Sequence, residues 1–267
     1  MKLAILSFLF IASVFAADIE GDVLDSFDTS TMDLEDRKVD IKKEAPWRVD
    51  LSVTGMQFRP NFQVSTSYPL GKGFNNEAVL VFGPTLEFGR DYYLSERFSA
   101  STRLQTFYGT GNDKKDLQAD PTLTVSISRR QADVEMLGAG LVQSFGYDFL
   151  MSSFIVRPFV SYAVGYGGSS SHLIYGYNLS GSGQEGYDVK VQDRYVYNTL
   201  SIGTEFIAQS GISSQILLSR TGYLSGTSQA YGKTSFNNVN ALYDTGERDV
   251  NTGKAIYSLS IGLGYYF

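Results

Sequence analysis

The sequence predicts an all-β chain, an antiparallel up-and-down barrel most readily drawn with eight strands, and three observations predict it. From Trp47 onward apolar side chains recur at every second position, and no stretch long enough for an amphipathic helix keeps the helical period. Glycine (27) and the aromatics (18 Tyr, 18 Phe, one Trp) are abundant in a chain of 267 residues. Connections between the alternating segments switch between short and long, as hairpins of an up-and-down meander do.

The first strand runs from Trp47 to about Phe58. The second covers Ala78 to Gly89, with Leu80, Phe82, Leu86 and Phe88 on one face. The third, Arg97 to Tyr108, sets Phe98, Ala100, Thr102, Leu104, Thr106 and Tyr108 against Ser99, Ser101, Arg103, Gln105 and Phe107. The fourth, Val134 to Tyr147, carries Leu137, Ala139, Leu141 and Phe145 outward, with Gln143 a poor fit on that face. The fifth, Ile155 to Gly167, opposes Val156, Pro158, Val160, Tyr162, Val164 and Tyr166 to Arg157, Ser161, Ala163 and Gly165. The sixth, Val196 to Phe206, opposes Leu200, Ile202, Thr204 and Phe206 to Ser201, Gly203 and Glu205, with Asn198 out of place. The seventh, Ile212 to Leu218, sets Ile212, Ile216 and Leu218 against Ser213 and Gln215, with Ser214 out of place. In the last, Tyr257, Leu259, Ile261, Leu263, Tyr265 and Phe267 share one face, and Ser258, Ser260, Gly262, Gly264 and Tyr266 the other.

Alternation alone also suits a sandwich. A small polar face opposite a large apolar one suits a narrow closed barrel in lipid, with its polar lumen inside. Tight turns are expected near Arg90 to Ser95, Asp148 to Ser152 and Gln209 to Gly211, and long polar loops near Gly109 to Ala132, Gly168 to Asp193 and Ser225 to Gly253. Arg59 to Leu70, with Phe62, Val64 and Tyr68, either extends the first strand or adds its own, so ten strands is the fallback. Aromatics cluster at predicted strand ends: Trp47, Tyr92, Tyr93, Tyr147 and Phe149, with Phe206, Tyr265 and Phe267, at the short-turn end. Tyr108, Tyr166, Tyr195, Tyr223 and Tyr257 fall at the long-loop end, positions suited to the headgroup level of a membrane.

Charge is unevenly placed. The formal net charge of −6 and the mean hydropathy of −0.11 read as a mildly acidic soluble chain. Yet residues 17–46 hold ten acids and four bases, while the body from Trp47 has 17 bases and 18 acids. Residues 17–46 therefore read as an acidic disordered periplasmic lead-in. A short helix over Thr31 to Glu44 is the other reading, because its acids come early and its bases late. Residues 1–16, with Lys2 before an apolar run and Val14 and Ala16 before the cut, read as a secretory signal peptide. Residues 47–267 then form the barrel.

Signal peptide, alternating strands and the terminal YSLSIGLGYYF resemble a bacterial outer-membrane β-barrel, of the small eight-stranded type similar to the transmembrane domain of OmpA. The resemblance implies residence in the bacterial outer membrane among its lipid and lipopolysaccharide. It also implies that Tyr257, Leu259, Ile261, Leu263, Tyr265 and Phe267 form the C-terminal signal read by the barrel-assembly machinery. Unlike full OmpA, no peptidoglycan-binding domain is expected to follow the barrel.

Zero cysteines exclude a disulfide scaffold, a thiolate metal site and a cysteine nucleophile. Barrel phospholipases and lipid A deacylases, on the resemblance, use a His-x-Ser pair. Here the one histidine, His172, is followed by Leu173 and Ile174 and falls in a predicted serine-rich loop without an ordered partner. No enzyme activity, no metal, no cofactor and no nucleic-acid partner are expected, the body being nearly neutral. Alternation instead turns Arg48, Asp50, Glu87, Arg103, Arg157 and Glu205 into the lumen, where buried charges must pair. The expectation is a monomeric, side-chain-filled barrel whose Gly/Ser/Tyr-rich loops meet host, phage or matrix. A narrow gated channel and a lipid-modifying enzyme are the alternatives.

Overall fold

The computed structural model describes residues 47–60, 78–95, 97–116, 125–151, 153–179, 183–236, 239–250 and 255–267. The signal peptide at 1–16, the acidic lead-in at 17–46 with its Thr31 to Glu44 helix, and the proposed strand through 61–70 lie outside the described residues. Ten strands follow in order: β1 (Trp47–Phe58), β2 (Val79–Tyr93), β3 (Phe98–Asp116), β4 (Val125–Tyr147), β5 (Phe149–Leu150), β6 (Phe154–Leu179), β7 (Gly183–Ala208), β8 (Ile212–Phe236), β9 (Val239–Asp249) and β10 (Ala255–Tyr266).

Eight of these close a ring. Neighbours pair antiparallel in chain order from β1 to β4, then β6, β7 and β8, and β10 pairs with both β8 and β1. Closure pairs the first strand with the last, so the barrel's ladder donors and acceptors find partners within the ring. The other two strands stand off it: β5 pairs only β6, and β9 extends the β8 hairpin. Eight is therefore the barrel count; β5 and β9 lie off the ring, and neither is the strand through Arg59 to Leu70 on which the fallback of ten rested.

The expected tight turns are present at one end. Leu94 N–H donates to Phe98 O, Met151 N–H to Phe154 O, and Gly211 N–H to Ala208 O. Gly211 takes φ 83°, a left-handed conformation open to glycine at little steric cost. Both strand ends of the chain meet here too, with Phe267 N–H donating to Trp47 O.

At the other end the expected loops are mostly strand, which corrects the sequence reading. Pairing of β3 with β4 continues to Asp116↔Arg129, that of β6 with β7 to Leu179↔Gly183, and that of β7 with β8 to Gly186↔Ser235. Serine, glycine and charge in these stretches suit a loop by composition, whereas the backbone ladder does not depend on which face is polar.

The faces exchange character along the strands. On β4, Leu137, Leu141 and Phe145 are exposed outward, while further on the outward residues are Glu135, Asp133 and Gln131. Inward, Ser144 gives way to Met136, Val134 and Ala132. β7 repeats this: outward Phe206, Ile202 and Leu200 give way to Arg194, Gln192 and Lys190, and inward Glu205 and Ser201 give way to Val191 and Val189. Along β1 the inward run Arg48, Asp50, Ser52, Thr54 ends in Met56 and Phe58. The apolar outer band is as tall as the roughly 9–11 tilted residues that cross a bilayer. Past it, the inner residues form an apolar core with Phe58, Val81, Leu173 and Tyr195, as in a water-soluble barrel.

Candidate functional site: a charge cluster inside the short-turn end

Alternation carries the six predicted charges inward, and strand register brings them to one level. Arg48 opens β1, opposite Tyr266 on β10; Asp50 faces Glu87 on β2; Arg157 on β6 faces Glu205 on β7. Each of the six is at most 4% exposed. Arg48 clamps Asp50 in a fork, Nε to Oδ2 at 2.8 Å and Nη2 to Oδ1 at 2.5 Å. Its Nη2 also lies 2.8 Å from Glu205 Oε1, and its Nη1 donates to Tyr266 Oη at 2.7 Å.

Arg157 makes a second centre. Its Nε donates to Asp148 Oδ1 at 2.6 Å and its Nη1 to Asp91 Oδ2 at 2.7 Å, with Glu205 Oε2 at 3.6 Å. Arg103 on β3 makes a third, donating to Glu87 Oε2 at 2.8 Å and to Ser144 Oγ at 2.7 Å, with Asp50 at 3.6 Å. Tyr266 Oη lies within hydrogen-bond reach of Glu205 and Asp91, so one phenol joins the Arg48 and Arg157 centres. Small inner residues make room for these stems: a Cβ on Gly146 would sit 2.7 Å from Arg157 Cγ.

Sequence reasoning missed Asp91 and Asp148. Asp91 lies four residues after Glu87 on the same face of β2, so alternation alone would have found it. Asp148 keeps the inward parity of Ser144 and Gly146 but lies just past β4, in the stretch expected to be a tight turn. Among the described residues the cluster holds three guanidiniums and five carboxylates, an excess of negative charge where the sequence count was even.

The predicted interface aromatics divide. Trp47 stacks on Phe88 at 5.3 Å with Arg90 over its ring, Tyr92 is exposed outward, and Tyr147 meets Phe98 and Phe149 edge-on at 5.0 Å each. Tyr93 is a correction: it shares the inner parity of Glu87 and Asp91, and its hydroxyl accepts from Arg157 Nη2 at 3.5 Å. Tyr195 and Tyr223 also turn inward, 4% and 8% exposed, with ring centroids 4.6 Å apart. Their parity on β7 and β8 overrides a placement made from strand ends. The poorly fitting Gln143 accepts from Thr102 Oγ1 across the ladder at 2.8 Å, which pairs the two polar side chains on the outer face.

His172 is a further correction. It lies in β6, outward and beyond the apolar band, with Nε2 2.7 Å from Asp188 Oδ1 on β7. An ordered carboxylate partner therefore exists. Among the described residues no hydroxyl hydrogen-bonds this histidine, so the nucleophile–base contact of a catalytic serine is not made. The described residues hold no group of three His, Asp or Glu placed to bind a metal.

Farther up the lumen a chamber with a cavity volume of about 90 Å³ separates the charge cluster from the apolar core. The side chains therefore fill the barrel at two levels and leave the middle open, which narrows the expectation of a filled lumen.

A closed antiparallel ring of eight strands, apolar outside and charged within, is the build of a transmembrane β-barrel. No family model matches the chain, and no curated protein matches it. Among solved structures it is similar to outer-membrane proteins. Neisserial surface protein A is 13% identical with a TM-score of 0.38, covering 83% of this chain and 97% of that one. OprG of Pseudomonas aeruginosa is 12% identical with a TM-score of 0.43, covering 84% and 96%. Ail, the attachment invasion locus protein of Yersinia pestis, is 8% identical with a TM-score of 0.33, covering 84% and 99%.

Proposed function

We propose that the protein is a non-enzymatic outer-membrane barrel that holds a rigid hairpin platform above the lipid for contact at the cell surface. The observation that carries this reading is the exchange of faces along β4 and β7. An apolar outer band fits lipid, and a polar outer surface over an apolar core fits water beyond it. The short-turn end is then periplasmic, and the extended hairpins are extracellular. Arg194 and Arg220, outward at the hairpin-side margin, are suited to lipopolysaccharide phosphates. The terminal strand, with Phe267 exposed at its end, is suited to recognition by the assembly machinery. Host, phage or matrix contacts fall to the outward residues of the β6–β7 hairpin.

A heat-modifiable band from the detergent-extracted membrane fraction, with Lys190→Cys labelled on intact cells, is the expected result. A soluble periplasmic protein, or Lys190→Cys labelled only after lysis, defeats the reading. The charge cluster favours a closed barrel over a channel. Planar-bilayer recordings are expected to lack stable large conductance steps.

A further inference from the structure

We propose that the mid-lumen chamber is a binding site for one small uncharged molecule with an apolar, ring-sized body and a hydrogen-bonding group. The chamber lies above the charge cluster and below the apolar core, bounded by Glu87 and Arg103 on one side and by Met136 and Ile256 on the other. An eight-stranded barrel has an interior just wide enough for side chains or for a single small ligand.

Its chemistry selects the occupant. Much of the polar wall satisfies itself: Thr54 Oγ1 bonds Thr85 and Ser260 at 2.8 Å each, and Thr199 bonds Thr221 at 2.8 Å. Tyr195, Tyr197 and Gln215 do not, nor do the smaller Ser161, Ser201, Ser219 and Ser258. Tyr195, Tyr197 and Gln215 are 4%, 8% and 4% exposed and line the chamber, yet no described residue hydrogen-bonds their side chains. Buried phenols and amides ordinarily have partners, so these groups call for one inside the chamber. Glycines hold the Tyr197 ring at its place: a Cβ on Gly165 would stand 2.5 Å from its hydroxyl oxygen.

Apolar side chains supply the rest of the wall, Met56, Phe107, Phe159 and Leu217 among them. Glu87 and Arg103 already pair at 2.8 Å, so a charged ligand would arrive without a counter-ion in a low-dielectric space. Polar waters alone would leave the apolar wall wetted; a ring with one hydroxyl covers that wall and gives a buried phenol or amide its partner. The short-turn end is tied by ion pairs, which leaves the opposite end for entry.

The test follows methionine methyl resonances in the refolded, detergent-solubilised full chain, titrated with p-cresol, toluene and 4-methylbenzoate. Met56 and Met136 line the chamber, and Met151 is exposed at the short-turn end, where it reports partition into the micelle. Saturable shifts of Met56 and Met136 with p-cresol, none at Met151 and none with 4-methylbenzoate, are expected. Tyr197→Phe should weaken p-cresol by up to about tenfold, as loss of one hydrogen bond does. Ala163→Phe, which fills the chamber, should abolish the shifts. Heat-modifiable mobility checks that each variant is folded, and Tyr197→Phe alone suffices if Ala163→Phe is not. Linear shifts at all three methionines, no shift at all, or toluene binding as well as p-cresol with Tyr197→Phe inert, each overturns the proposal.

Discussion

Replacing Arg157 by Met should cost far more than replacing Glu205 by Gln, although both break the same cluster. Arg157 has three carboxylates within 4 Å, Asp148, Asp91 and Glu205, besides the Tyr266 hydroxyl. Methionine keeps the length of the stem and removes the cation. Five buried carboxylates then face two guanidiniums, and stranding a buried charge costs about 3–5 kcal/mol. Glutamine at 205 instead retains an acceptor oxygen for Arg48 and relieves the negative excess, so about 1–2 kcal/mol is expected. Trp47, the one tryptophan, sits outside the barrel against Phe88 and reports folding into lipid. Urea unfolding of both variants in phospholipid vesicles, followed by Trp47 fluorescence, measures the difference. Equal losses, or an Arg157→Met protein as stable as the parent, would refute the unequal charge count as the organising feature.

Other outcomes follow from the same geometry. Leu141→Arg, in the middle of the apolar band, should cost about 2–4 kcal/mol in vesicles, whereas Glu135→Arg on the same face of β4 should stay within about 0.5 kcal/mol. Similar costs at the two positions would move the lipid boundary. Phe267→Ala removes a ring 6.4 Å from Phe88 and should change refolded stability by about 1 kcal/mol or less. Its yield of folded barrel in cells should fall severalfold, and parallel changes in vitro and in cells would assign the residue to packing alone. His172→Ala should leave stability within about 1 kcal/mol, since the His172–Asp188 pair is exposed, and should leave the lipid A mass spectrum unchanged. A lipid A modification that disappears with His172 would favour the lipid-modifying alternative.

Much of the barrel was legible because the side-chain period in a strand is two. That period gave β1 its bounds, placed both faces of β10 including inward Tyr266, and aimed six charges at one lumen. Where a turn was expected the period was not followed: Asp148, just past β4, keeps the inward parity of Ser144. Where polarity was read as a sign of loop, it misled. Ser169 and Ser171 are buried inward strand residues and His172 an outward one, so the alternation of direction persists where polarity no longer marks it. Tyr93, Tyr195 and Tyr223 were placed by nearness to strand ends, although their parity already pointed inward.

The sequence by itself determined which side of each strand is apolar, and hence a closed barrel with charge inside. It also determined that the −6 lies before the barrel, since residues 47–267 are nearly neutral. The tertiary structure alone decided which charges meet. Arg48 and Glu205 are separated by 157 positions and touch only because closure and register bring β1 and β7 to one level. It also decided the vertical order of the lumen: ion pairs, then an open chamber, then an apolar core. Local sequence specifies direction across a sheet, whereas height within a barrel is set by the shared register of all its strands.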